Sequence, residues 1–209
     1  MGSGNPCSRK DVIMISTHAL IVFSLVLNAS AMVPYTYNTL RGTTKPNQAT
    51  WFMWALAPLV GSFVAFQSGA DAWIVAPVFS SGFWPLVVFF ASFLTEHGYW
   101  KLSTFDIVCG VFSFLAFVAW LITSSAPFAI ALAILSDFLA GIPTVKKLWQ
   151  YPETETKMTF ILSFASFIVA MFAITTWNVE SAAFLVYLLV MNLALMFAAY
   201  KRDIFSYFR

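Results

Sequence analysis

Apolar residues along this chain are gathered into long runs that are separated by short polar segments. Each run is about 20 residues long, and an α-helix of that length rises about 30 Å, the thickness of the hydrocarbon core of a bilayer. The pattern therefore predicts seven helices, with boundaries good to a few residues. They cover residues 12–34, 48–67, 72–94, 104–123, 126–145, 158–177 and 181–200.

Composition agrees with helices that cross a membrane. Of the 209 residues, 60% are apolar and only 10% are charged. A soluble domain of this size cannot hide that much hydrocarbon from water. The seven runs also leave no stretch long enough for a soluble domain. We therefore predict an all-α integral membrane protein with seven transmembrane helices.

Basic residues predict the orientation, because Lys and Arg collect on the cytoplasmic side of a membrane. The face with the amino terminus carries Arg9 and Lys10, and the opposite face carries nine of the eleven basic residues. The amino terminus is therefore expected outside a plasma or inner membrane, and the carboxyl terminus inside. Tryptophans near helix ends, Trp51 and Trp54 among them, are expected at the headgroup level. The nine basic residues are Arg41, Lys45, Lys101, Lys146, Lys147, Lys157, Lys201, Arg202 and Arg209.

An internal repeat is indicated when the chain is compared with itself. A shift of 109 residues brings Asn28 onto Asp137 and Pro34 onto Pro143, and a polar loop containing proline and threonine follows in each case. A unit of three helices would invert its second copy, and an extra helix between the copies restores the parallel relation. The predicted division is a first unit at 1–103, a linker helix at 104–123 and a second unit at 124–209.

This 3+1+3 arrangement, with the segments Met32-Val33-Pro34-Tyr35 and Gly141-Ile142-Pro143-Thr144, resembles the SWEET and PQ-loop superfamily of small-solute transporters. The resemblance covers the whole chain in architecture and the two proline segments locally. It implies alternating access, with a site near the midplane between the two units. It also implies that Pro34 and Pro143 are hinges of a cytoplasmic gate. The alternative is that these prolines simply end helices one and five.

Polar groups inside the predicted spans are the candidates for a binding site. Asp137 lies about nine residues from the end of helix five, and a carboxylate at that depth costs roughly 2.5–3.5 kcal/mol on insertion scales. It is expected to face the bundle interior as a proton-coupling group or as a ligand for a hydroxyl or amine. Asn28 lies at the corresponding depth in helix one. Both side chains also suit a structural role as interhelical hydrogen-bond partners.

Three further residues complete the candidate site. The resemblance implies that asparagine and tryptophan in the third helix of each unit face the solute. Asn192 in helix seven and Trp84 in helix three correspond to that pattern, with Trp84 as a stacking surface. His18 lies about 15 Å from Asn28 along helix one and is a candidate proton relay toward Asp137. Ordinary packing of His18 and Trp84 is the competing interpretation.

Other classes of function lack the necessary residues. The two histidines, His18 and His97, have no companions at metal-ligand spacing, so no metal is expected. No nucleophile and base pair, phosphate-binding glycine motif or clustered nucleic-acid surface is evident, so we expect neither an enzyme nor a nucleic-acid partner, and no cofactor.

The sequence therefore favours transport of a small neutral or zwitterionic solute, such as a sugar, an amino acid or a vitamin. Transport is either passive or linked to protons through Asp137. The main alternative is a ligand or sorting receptor that uses the same helices without transporting, and a subunit of a larger membrane complex is a third candidate. Assembly into a homo-oligomer stays open.

Overall fold

The computed structural model describes residues 9–67, 69, 71–94, 101–123, 126–174, 177 and 179–207. These residues form seven α-helices and a single 3-10 turn at Pro152–Thr154, and they contain no strand, which confirms the all-α prediction. His97 and Arg209 lie outside the described residues. The helices are α1 (Arg9–Leu40), α2 (Gln48–Gln67), α3 (Ala72–Ala91), α4 (Thr104–Ile122), α5 (Ala126–Gln150), α6 (Met158–Phe172) and α7 (Val179–Tyr207).

Several helices begin where a polar side chain satisfies main-chain donors of the first turn. Asn47 accepts a 3.2 Å hydrogen bond from a main-chain N–H at the start of α2. Asp71 does the same for α3 at 2.7 Å. Before α4, Ser103 and Asp106 exchange main-chain to side-chain bonds of 2.7 and 3.3 Å. Such caps stabilise the first turn, so the polar segments between the apolar runs define the helix starts.

The prediction that helices one and five end near their prolines is wrong. Pro34 lies inside α1, which continues to Leu40, and Pro143 lies inside α5, which continues to Gln150. Proline removes only one main-chain donor, so a helix continues when its next turn is held by other contacts. In both helices that next turn carries polar side chains that bind the adjoining loops.

Six of the helices form a closed ring. In the first half of the chain, α3 packs against both α1 and α2, and in the second half α7 packs against both α5 and α6. The halves meet where α1 packs against α6 and where α2 packs against α5. The fourth helix packs against α5 and α2. The helix order around the ring is therefore α1, α3, α2, α5, α7, α6, and the interior of the ring belongs to both halves.

Two bonds between the halves are related by the 109-residue shift. The Thr50 hydroxyl of α2 donates to the main-chain oxygen of Ala140 in α5 at 2.7 Å. The Thr159 hydroxyl of α6 donates to the main-chain oxygen of Ala31 in α1 at 3.0 Å. Thr50 and Thr159 are 109 residues apart in sequence, and so are Ala31 and Ala140. The two contacts between halves therefore use the same chemistry at equivalent positions.

The fourth helix is attached by small and hydroxyl side chains. The hydroxyl of Ser113 in α4 donates to the main-chain oxygen of Ser136 in α5 at 2.7 Å, and the Ser136 hydroxyl returns a bond of 2.9 Å to the oxygen of Ser113. Reciprocal bonds of this kind hold two helices close in surroundings that offer no water. They attach α4 to the second half without placing it in the ring.

The two longest helices also contain the clearest apolar spans. By length and hydropathy, Ser16–Leu40 and Ala182–Phe205 are long and apolar enough to cross a membrane. Shorter apolar stretches lie at Val75–Ala91, Thr104–Ala119 and Met158–Phe172. At this level the helices indicate association with a membrane.

The packing of α2 against α3 is tight enough to predict the effect of one methyl group. A Cβ added at Gly82 would lie 2.9 Å from the main-chain oxygen of Ala55 and 2.9 Å from the main-chain nitrogen of Leu59. Main-chain atoms cannot give way as a flexible side chain does, so we expect Gly82→Ala to lower the unfolding free energy by about 1–3 kcal/mol. Chemical denaturation in detergent micelles measures this change.

The matched control is Gly110→Ala in α4, where the nearest atom to an added Cβ is 3.8 Å away. This variant gains the same helix propensity as Gly82→Ala without the collision. We expect its stability to equal or exceed that of the parent protein. Equal losses in the two variants would contradict the tight α2–α3 contact.

Candidate functional site

A cavity lies at the centre of the helix ring, with about 650 Å³ of space that protein atoms do not fill. All six ring helices contribute to its lining, and α4 contributes none. Most of the lining is apolar or aromatic, and a few polar side chains converge on it. Such a concave, largely apolar site with a small number of polar groups is typical of small-molecule binding.

The cavity lining repeats with the same 109-residue shift in four helices. Residues of α1 and α2 that face the cavity have partners in α5 and α6 that face it too. The pairs are Asn28 with Asp137, Trp51 with Phe160, Trp54 with Ser163, and Pro58 with Phe167. The positions are equivalent but the side chains differ, so the cavity has a duplicated frame and an asymmetric surface.

The cavity surface contains one carboxylate, that of Asp137, which is 6% exposed. One carboxylate oxygen accepts a 2.7 Å hydrogen bond from the Tyr187 hydroxyl of α7. The main-chain oxygen of Asp137 accepts a 3.2 Å bond from the Trp54 indole of α2. Three helices from both halves therefore hold this residue in place, and no cation lies among these contacts.

Two amides share the cavity with this carboxylate. Asn28 is buried, and its amide oxygen accepts a 3.4 Å bond from the Ser80 hydroxyl of α3. Asn192 is buried on α7, and its amide nitrogen donates to the main-chain oxygen of Leu188 at 3.0 Å. Three of the four residues expected to contact a solute, Asn28, Asp137 and Asn192, thus lie on one cavity.

The fourth expected residue, Trp84, is not part of the cavity lining. It packs edge to face on Phe83 with ring centroids 5.5 Å apart. The face of α3 that lines the cavity contains Ser81 and Pro85. Pro85 occupies the place in α3 that Asn192 occupies in α7, which corresponds to a shift of 107 residues here instead of 109. The uniform shift therefore selected the wrong face of α3.

The candidate relay His18 also lies away from the cavity. Its imidazole stacks on the Trp73 ring at the start of α3, with centroids 4.5 Å apart and planes 18° apart. This contact supports the packing interpretation of His18. Proton linkage through Asp137 itself stays a prediction.

Two tryptophans in α2 were missed as site residues because they were assigned to the headgroup level. Trp51 is only 1% exposed and lines the cavity with Trp54, and their rings meet edge to face at 5.6 Å. The assignment of Trp51 to the membrane surface is wrong, since α2 starts deep enough for its first turn to face the interior. The signal was available in the repeat, because the counterpart of Trp51 is Phe160.

Below the cavity, two loops meet at what we call the loop end of the bundle, formed by residues 41–47 and 151–157. The main-chain nitrogen of Lys45 donates to the oxygen of Thr154 at 2.9 Å. Thr156 bonds Asn38 at 3.0 Å and Thr44 at 2.6 Å. Lys45 and Thr154 are themselves 109 residues apart, so equivalent points of the two halves touch here.

A buried ion pair, the Glu155 cluster, closes this end. It consists of Glu155, Lys147 and Tyr35. The Lys147 amine and the Tyr35 hydroxyl each donate a 2.5 Å bond to a different oxygen of the Glu155 carboxylate. The amine also donates to the main-chain oxygen of Lys45. The side chains of Lys147 and Glu155 are 1% and 0% exposed, so water does not weaken this pair.

The position of Lys147 affects its ionisation. It lies two residues beyond the predicted span at 126–145. Burial lowers the pKa of its amine, and the adjacent Glu155 carboxylate opposes that change by favouring the charged form. The charge of Lys147 therefore depends on Glu155.

The candidate hinges lie between the cavity and the Glu155 cluster. Pro34 directly precedes Tyr35 of that cluster, and its own ring is exposed. Pro143 lies four residues before Lys147 and is buried. Thr144, next to it, is fully buried, and its hydroxyl has no hydrogen-bond partner among the described residues. Both prolines are thus placed where a bend would move the loop end relative to the cavity.

The described residues contain no group of three or more His, Cys, Asp or Glu side chains able to hold a metal. Comparison with known proteins finds no matching family model, curated protein or solved structure. Interpretation of the cavity therefore depends on its own residues.

The Glu155 cluster predicts a large effect from removal of one charge. In Glu155→Gln, the Lys147 amine stays buried without a counter-ion, so we expect a loss of about 3–5 kcal/mol in unfolding free energy. Denaturation in detergent micelles measures it. Adding Lys147→Met to this variant removes the orphaned charge and should recover part of the loss.

Glu153→Gln is the matched control, since Glu153 is 61% exposed and its carboxylate lies 3.5 Å from the Arg202 guanidinium. Exposed pairs contribute roughly 0–1 kcal/mol. A comparable loss in the Glu153 and Glu155 variants would show that the buried pair contributes nothing special to the loop end.

Proposed function

We propose that this protein crosses the membrane seven times and moves a small solute through its central cavity by alternating access, as its resemblance to SWEET and PQ-loop transporters implies. The observation that carries the proposal is the pair of equivalent threonine bonds around the cavity, Thr50 to Ala140 and Thr159 to Ala31. Two equivalent halves that share one site are the common plan of secondary transporters.

Support for seven spans comes from the outer surface of the bundle. Each helix presents at least one large apolar side chain that is more than a third exposed, which water disfavours and lipid accepts. The polar residues Asn28, Asp137 and Asn192 face inward instead. Examples of the exposed side chains, in helix order, are Phe23, Phe63, Phe90, Phe112, Phe128, Phe172 and Val190.

The proposed orientation puts the loop end in the cytoplasm. Basic side chains gather there and contact the ends of several helices: Lys157 pairs with Asp203 at 2.9 Å, and Arg202 bonds the main-chain oxygen of Gln150 at 2.9 Å. Seven basic residues lie in or beside the loops at this end, which agrees with the charge bias expected of a cytoplasmic face. They are Arg41, Lys45, Lys146, Lys147, Lys157, Lys201 and Arg202.

In the proposed cycle, the Glu155 cluster is the closed cytoplasmic gate. Opening requires the loops at 41–47 and 151–157 to separate, which breaks the bonds from Lys147 and Tyr35 to Glu155. Bends at Pro34 and Pro143 permit that separation while the threonine bonds nearer the cavity hold the halves together. A solute bound beside Asp137 is then exposed to the other side.

Cysteine labelling tests access from both sides. With the native Cys7 and Cys109 replaced by serine, Asn28→Cys and Asn192→Cys place single thiols in the cavity. We expect a membrane-impermeant thiosulfonate to label both positions in right-side-out and in inside-out vesicles, because alternating access exposes the cavity to each side in turn. Adding Glu155→Gln should raise labelling from the cytoplasmic side.

Ser113→Cys serves as the buried control, since Ser113 is fully enclosed between α4 and α5 and should resist the reagent from both sides. Labelling of the cavity thiols from one side only would reject alternating access. That outcome would favour a receptor that opens to one side and does not transport.

A further inference from the structure

The cavity has an unbalanced set of polar groups. Among the described residues that line it, Asp137 is the one acid, and no lysine, arginine or histidine is present. The carboxylate is nearly fully buried and receives a single bond, from the neutral Tyr187 hydroxyl. A buried carboxylate without a cation is costly unless it is protonated or its partner arrives from outside.

The remaining polar groups are mostly acceptors, because their donors are already used. The hydroxyl of Ser81 donates to the main-chain oxygen of Val78 at 2.7 Å, and that of Thr159 donates to Ala31. The amide nitrogen of Asn192 donates to Leu188, which leaves its amide oxygen unused. A solute in this cavity therefore meets a carboxylate, an amide oxygen and hydroxyl lone pairs. Such surroundings select a donor of hydrogen bonds or a positive charge.

Aromatic rings supply the second half of a cation site. Five aromatic side chains line the cavity, and an aromatic face attracts a cation through its quadrupole, most strongly where water is excluded. Rings also give the apolar contact that the carbon atoms of an organic cation require. The five are Trp51, Trp54, Phe160, Phe167 and Phe184.

We propose that the cavity binds a small organic monocation, a protonated amine or quaternary ammonium, with Asp137 as its counter-ion. This inference rests on the proposed function, whose solute class it names. It replaces the expectation of a neutral or zwitterionic solute. The carboxylate of a zwitterion would find no basic partner in the lining, and only the Asn28 amide and the Ser163 hydroxyl remain as donors for it.

Matched pairs of charged and neutral ligands test the charge requirement directly. Choline is compared with 3,3-dimethylbutan-1-ol, which has the same shape without the charge, and protonated ethanolamine is compared with ethylene glycol. Binding to purified protein in lipid nanodiscs is measured by calorimetry near pH 7. We expect at least one cation to bind tenfold or more tightly than its neutral partner.

Two asparagine substitutions locate the effect. Asp137→Asn keeps the size of the side chain and removes its charge, so the preference for the cation should fall to about onefold. Asp203→Asn makes the same change at an exposed residue paired with Lys157, outside the cavity lining, and should leave the preference intact. If Asp137→Asn does not fold, the ligand pairs on the parent protein still decide the question.

Each outcome separates this inference from the transport proposal. Equal binding within both pairs, or no binding of either cation, overturns the cation site, even if proteoliposomes exchange a neutral solute. A preference that survives Asp137→Asn also overturns it. Binding of a cation that proteoliposomes do not exchange supports the cation site and counts against transport.

Discussion

The hydroxyl-to-carbonyl bonds between the two halves are the contacts on which the rest of the structure depends. Thr50 and Thr159 each reach across to the main chain of a helix in the other half, beside the cavity. Away from water, a threonine hydroxyl has few other partners, so each bond fixes the distance and rotation of the helix pair it joins. Because the bonds are equivalent, the ring closes with two similar joints, and the cavity between them has contributions from both halves.

The duplicated frame does not produce a duplicated site. Equivalent positions hold Asn28 and Asp137, so the two halves place an amide and a carboxylate at the same depth. Trp54 faces Ser163 in the same sense, with an aromatic ring in one half and a hydroxyl in the other. The frame therefore supplies position, and the differences between paired side chains supply the charge and shape that a solute meets. This asymmetry places the carboxylate on one wall only.

Much of this arrangement follows from the sequence, and the exceptions have physical reasons. The all-α class and the inward position of Asn28, Asp137 and Asn192 follow from apolar runs and from the cost of polar groups in hydrocarbon. Trp84 was misplaced because an alignment by one shift ignores a two-residue difference ahead of the third helix, and two residues rotate a helix face by about 200°. The Glu155 cluster was not foreseen, since it joins residues from separate segments and no periodic pattern records such a contact.

A continuous line of contacts joins the loop end to the cavity. Tyr35, which bonds Glu155, packs against the Trp51 ring at 4.6 Å, and Trp51 meets Trp54 at 5.6 Å. The Trp54 indole then bonds the main chain of Asp137. Because these side chains are buried and closely packed, separation of the loops removes a support of the Trp51 ring, which itself forms part of the cavity wall. Opening of the gate and a change in the shape of the solute site are therefore parts of one rearrangement, which is the physical condition for a solute to be released on the side that opens.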